Sequence, residues 1–306
     1  MLQTPIQVLH SWPGGSSKNE QKVHTCLIYN QDSTLSSWGS LCEDEDDPGK
    51  QRREFFKIFL DKQTLEAAHQ QGISQAPESV SDAQRLVSDY LSQIYLHIKT
   101  TIQSQTGISN SAWWELAVDF IFSVPTTWRS QEVVNIFKNA IRDAGFGTEG
   151  RRHAATVELT ESEAAAVGTI KSSTVAFERD DIFLSVDAGG GTADFALMQV
   201  VDAREPFPSL AQINQVDGIG IGSTLIDQAF ISLVNSRLGK YPDLIPQLPP
   251  DCAQRLAKSE KFKTMKHKFG ERVYESPTYK LPLEGVPFSF NHEAAGIELG
   301  RLIITW

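Results

Sequence analysis

The segment Asp187-Ala-Gly-Gly-Gly-Thr-Ala-Asp194 lies between the apolar runs Ile182–Val186 and Phe195–Val201. Both runs read as buried strands, so the chain turns through three consecutive glycines with a carboxylate at each end. Glycine lets a ligand approach the backbone closely, and it also permits left-handed dihedrals. A glycine-rich turn between strands aims several N–H groups at one point, and such a nest holds an anion without a lysine. A nucleotide phosphate is the natural guest. Asp187 and Asp194 would repel bare phosphate, but they fit if a Mg2+ ion with its water shell lies between. The two carboxylates would then hold metal-bound waters or orient an attacking water. The competing reading is a tight hairpin whose glycines only allow positive φ.

Composition limits what this turn can belong to. With 306 residues, 40% hydrophobic and 22% charged, the chain is long enough for two compact globular domains. Its net charge of -10 and the acidic run Glu43–Asp47 argue against non-specific binding to nucleic acid or anionic membranes. The three cysteines are widely spaced and form no CxxC, so neither a disulfide scaffold nor a zinc site is indicated. No window approaches the roughly 18 apolar residues of a membrane span, and the first residues do not read as a signal peptide. A cytoplasmic or nuclear protein is expected.

Patterning along the chain places the elements. Apolar residues from Val80 to Ile102 recur at three- and four-residue steps and predict a long amphipathic helix. A strand, VDFIFSV, leads through Pro125 to a helix that Ser130 starts and Gly145 ends. The strand ATVEL then runs through Thr160 into the alanine-rich helix ESEAAAVGTI. After the glycine turn come a strand, AQINQV, and a second glycine-rich element, Gly218-Ile-Gly-Ile-Gly-Ser-Thr224, which opens another helix. Converging N–H groups and the helix dipole favour an anion there. One basic helix is expected over CAQRLAKSEKFKTMKHKF and one terminal strand over GIELGRLIITW. There is no GxxxxGK[ST], and a strand rather than a helix follows the glycine turn, so this is neither a Walker loop nor a dinucleotide fingerprint.

The ordered series VDFIFSVPTTWRSQEVVNIFKNAIRDAGF, ELTESEAAAVGTI, IFLSVDAGGGTADFALM and GIGIGSTLID resembles the nucleotide-binding domain of the heat shock protein 70 family, most closely its divergent twelve-type branch. The resemblance implies an α/β, actin-like ATPase (ribonuclease H-like) fold of two lobes, here incomplete. It places the first lobe over residues 1–170 and the second over 181–306, with no peptide-binding domain. It implies ATP or ADP with Mg2+ as ligands, chaperone-type ATPase activity that is weak or lost, and unidentified protein clients. Gly189, Gly190, Gly191 and Thr192 fall on the family's second phosphate loop, and Asp187 and Asp194 on its magnesium and water-orienting carboxylates. Asp187 would reach the metal through water. Glu161 matches the glutamate beside the magnesium shell, and Pro125 a proline of the interdomain switch. Gly222, Ser223 and Thr224 match the loop reaching the phosphates from the second lobe, while Glu260 and Lys263 match adenosine contacts.

Three departures qualify the implied activity. The family's first phosphate loop, Asp-x-Gly-Thr after an N-terminal strand, has no counterpart. Neither Lys50 nor Lys57 sits in a context that marks the family's catalytic lysine, and both read as surface lysines. The chain also stops before the glycine-rich adenosine loop of the second lobe. Because phosphoryl transfer depends on the full constellation, nucleotide binding is the stronger expectation than hydrolysis. The alternative is a non-catalytic interaction module with a vestigial nucleotide cleft.

Overall fold

A computed structural model of the chain describes residues 7–14, 22–45, 47, 49–70, 72–73, 76–128, 130–172, 176–191, 193–203, 209–213, 222–271 and 278–305. The fold is mixed α/β, built on small open sheets. It divides into two compact units, one of residues 1–185 and 195–217, the other of residues 186–194 and 218–306. The division falls within the strands flanking the glycine turn, at residues 185/186 and 194/195.

The first unit opens with β1 (Cys26–Tyr29), β2 (Leu35–Trp38) and β3 (Gln51–Glu54), an antiparallel sheet in which β1 is central. A 3-10 turn, Phe56–Leu60, then precedes α1 (Lys62–Gln70) and the long helix α2 (Val80–Thr106). The Ser79 hydroxyl accepts the Asp82 N–H at 3.1 Å to start α2, and Gly107 follows its end. Next come α3 (Asn110–Glu115), β4 (Ala117–Val124), α4 (Gln131–Asp143), β5 (Arg152–Thr160) and α5 (Glu161–Ser172). Strands β4 and β5 pair in parallel, with α4 as the crossover between them. Ser130 caps α4 as expected, accepting the Glu132 N–H at 3.1 Å. The start of α5 is a capping box: Thr160 Oγ1 accepts the Glu163 N–H at 3.2 Å, and Glu163 accepts the Thr160 N–H at 2.7 Å.

Strands β6 (Ile182–Ala188), β7 (Ala193–Asp202) and β8 (Ser209–Gln212) lie in that order in a third sheet, with the glycine turn joining the first two. β7 behaves as expected and buries Ala196, Met198 and Val200. β6 does not, because it is an edge strand whose Ile182, Leu184 and Val186 face outward, each more than half exposed.

The second unit continues with α6 (Thr224–Leu238), α7 (Cys252–Lys258), α8 (Glu260–His267) and β9 (Thr278–Pro282), and ends with β10 (Ile297–Glu298) and β11 (Arg301–Thr305). Two sequence expectations are corrected here. The single basic helix is two, because Ser259 adopts an extended ψ of 143° and its hydroxyl caps α8 by accepting the Phe262 N–H at 3.2 Å. The single terminal strand is a hairpin, since Leu299 and Gly300 turn the chain and β11 pairs antiparallel with both β10 and β9.

One polar contact set ties together elements of the first unit. Lys99 of α2 and the Trp113 indole of α3 both donate to Glu149, at 2.8 and 2.9 Å. Burial works to raise the Glu149 pKa, but the bonds from Lys99 and Trp113 help to hold it below the usual carboxylate value. A lowered folded pKa means stability that is complete above the ordinary glutamate range and lost as pH falls through the lowered value. Glu149→Gln is therefore expected to cost about 1–3 kcal/mol at pH 7, by urea unfolding followed through tryptophan fluorescence. The variant should lose less stability than the parent on acidification below the ordinary glutamate range.

Candidate functional site

The candidate residues divide between the two units. In the first, the 3-10 turn Phe56–Leu60 inserts Phe56, Phe59 and Leu60 into the core and leaves Lys57 at the surface of the turn. Phe55, just before it, adopts a left-handed φ of 56°, a conformation costing about 1 kcal/mol or more for such a residue. Lys57 is only partly exposed. Its Nζ donates to Glu161 Oε1 at 2.6 Å and lies 5.7 Å from the ring centroids of both Trp128 and Phe137. One expectation changes with this contact: Lys57 is not a free surface lysine, since it pairs with Glu161.

The capping box explains why Glu161 is placed there. It fixes the first turn of α5, and Glu161 is the first residue of that helix. Beside it, Ser162 is fully buried and its hydroxyl lies 2.7 Å from Thr126 Oγ1, in the turn that Pro125 opens. Ser185 of β6 donates to the Ser162 carbonyl at 3.3 Å. Lys57, Glu161 and the Pro125 turn thus form one connected group. Sequence reading missed Lys57, although a lysine inside the otherwise apolar run Phe55–Leu60 was a usable signal.

In the second unit the two glycine elements meet. The Ser223 N–H donates to the Gly189 carbonyl at 3.1 Å, and the Thr224 N–H and hydroxyl donate to the Gly190 carbonyl at 3.0 and 2.7 Å. Gly222 must be glycine for this contact, since a Cβ there would overlap the Gly190 carbonyl and lie 2.5 Å from the Gly191 nitrogen. The N–H groups at the start of α6, expected to face an anion, are therefore directed at the carbonyls of the turn. Thr192 and residues 218–221 lie outside the described residues.

Gly190 and Gly191 differ from Gly222. Neither has a left-handed φ; among the described residues a Cβ on Gly190 would meet nothing nearer than Thr224 Cγ2 at 3.7 Å, and one on Gly191 nothing within 4 Å. The positive φ that the hairpin reading allows these glycines is not adopted at Gly190 or Gly191. At the ends of the turn Asp187 is half-buried and Asp194 is 2% exposed.

Glu260 and Lys263 pair with each other at 2.9 Å on α8. That helix is tied to α6 by Lys266, which donates to Asp227 at 2.8 Å, and by Phe230 stacked on Phe262 at 4.1 Å. Among the described residues there is no group of three or more His, Cys, Asp or Glu arranged to hold a metal by itself. Nor is any helix among them long and apolar enough to cross a membrane. No protein-family model matches the chain, and no curated protein matches it.

Gly222→Ala is expected to destabilise the second unit by about 1–3 kcal/mol through overpacking. Gly191→Ala should be neutral or stabilising by up to about 1 kcal/mol, because the added methyl meets open space and restricts the unfolded chain. Urea unfolding of the two variants beside the parent checks the contrast.

Proposed function

We propose that the chain binds ATP or ADP with Mg2+, as a nucleotide-binding protein of the heat shock protein 70 type with an actin-like fold. One observation carries the reading. Among the described residues Gly190 and Gly191 have neither a left-handed backbone nor a close neighbour that would call for glycine, which supports a ligand that approaches the backbone. The two carboxylates bounding the turn suit Mg2+, which takes one or two carboxylates together with waters and phosphate oxygens rather than an all-protein cage.

In this reading Gly189, Gly190, Gly191 and Thr192 face the phosphates, and Asp187 holds Mg2+ through water. Asp194 orients water, while Glu161 serves with Lys57. Glu260 and Lys263 are assigned to the adenosine. Gly222, Ser223 and Thr224 act by bracing the turn, because their backbone is engaged with it. Binding is assigned ahead of hydrolysis. The same engagement of the α6 N–H groups favours the second reading, an interaction module that no longer takes nucleotide.

Calorimetric titration of the folded chain with ADP and ATP, with and without Mg2+, separates the two. Saturable, magnesium-dependent binding that is lost in Asp187→Ala and weakened in Gly191→Ala is the expected result. A folded protein that takes neither nucleotide at millimolar concentration would overturn the proposal and leave the interaction module.

A further inference from the structure

A cavity of about 270 Å3 opens between α4, the turn Phe146–Thr148 and β5, within the first unit. Its floor is apolar, formed by the buried Ile141 and Phe146 with Val157 of β5. Its rim is cationic: Lys138 and Arg142 stand four residues apart on one face of α4, both exposed. Gly147 keeps the turn flat on the strand, since its φ is +72° and a Cβ would lie 2.8 Å from the Ala155 nitrogen.

Among the described residues no carboxylate lines this cavity. Neighbouring acids are engaged elsewhere, Glu149 with Lys99 and Trp113, and Asp143 with Gln84 at 3.4 Å. Among the described residues neither Lys138 nor Arg142 has an ion pair, and Arg142 donates only to the Asn139 side-chain oxygen at 3.1 Å. Basic residues near a helix C-terminus commonly offset the dipole. That accounts for the charges but not for the apolar hollow beneath them.

We propose that this cavity binds a small organic carboxylate with an apolar body. The carboxylate lies between Lys138 and Arg142, where charge-assisted hydrogen bonds are available. The hydrocarbon rests on Ile141, Phe146 and Val157. The volume lies just below the usual range of ligand pockets, about 300–1,000 Å3, which selects a medium-chain or aryl acid over a nucleotide or a phospholipid. With the chain at net charge -10, these two cations are a local exception to a field that repels anions.

The test is a calorimetric and NMR titration of the full chain with octanoate. Octylammonium, of similar body and opposite charge, and inorganic sulfate serve as counter-probes. Octanoate should bind at one saturable site, shift the Thr148 amide resonance, and bind at least about tenfold tighter than octylammonium. Sulfate, lacking the apolar body, should show no saturable binding. The double variant Lys138→Glu/Arg142→Glu should lose about tenfold in octanoate affinity and stay folded, with a melting temperature lowered by no more than a few degrees, because both side chains are exposed but face the C-terminal end of the α4 dipole. Equal binding of octylammonium, an octanoate affinity unchanged by the charge reversal, or no saturation by folded protein would each overturn the proposal.

Discussion

The packing of α2 fixes the chemistry of the first unit. This helix contacts the 3-10 turn, α4 and β1 along its length, so each of these takes its position from one apolar stripe. Tyr90 meets Phe56 at 5.8 Å and Trp38 at 6.2 Å between ring centroids, while Tyr29 of β1 donates to Asp89 at 2.6 Å. Burying Leu86 and Val87 contributes about 1.5–3 kcal/mol each, and together they outweigh the cost of the left-handed Phe55 beside the turn, about 1–3 kcal/mol. Lys57 is placed because Phe56, Phe59 and Leu60 are anchored. Phe137 faces it because α4 packs on the same helix.

The second unit relies on a different constraint, the approach of two backbones at Gly222. Three donors, two N–H groups and the Thr224 hydroxyl, end on two carbonyls of the glycine turn. The start of a helix normally leaves such N–H groups to a side chain, water or a ligand. Here the turn itself satisfies them, which stiffens the peptide that carries Asp187 and Asp194.

Much of this was legible in the sequence, where local rules dominate. The spacing of Leu86, Tyr90 and Tyr95 marked α2; Ser130 marked the start of α4; the alanine-rich run after Thr160 marked α5. The failures fall where local rules compete with context. Ser259 breaks a basic stretch whose periodicity runs straight through it, since a serine can cap a new helix as easily as sit within one. Leu299 takes a left-handed turn that its side chain disfavours, so one strand became a hairpin. The outward face of β6 could not be told from a buried one, because an apolar run reads the same at the edge of a sheet as at its centre. Lys57 was missed since its partners come from residues 128, 137 and 161, and no window of sequence brings these together.

The Lys57–Glu161 contact bears on function through its energetics. Both side chains are about one-third exposed, so solvent screens the pair and its net contribution is about 0–1 kcal/mol. Placing an ammonium beside two aromatic rings adds about 0.5–1 kcal/mol at such a site. Against this stands the lost rotamer freedom of the lysine, up to about 2 kcal/mol. The sum is near zero, so the arrangement does not stabilise the unit appreciably. What it does is hold a cation and a carboxylate at fixed positions beside the Pro125 turn. A group held in place at no gain in stability fits a part in binding better than a part in folding.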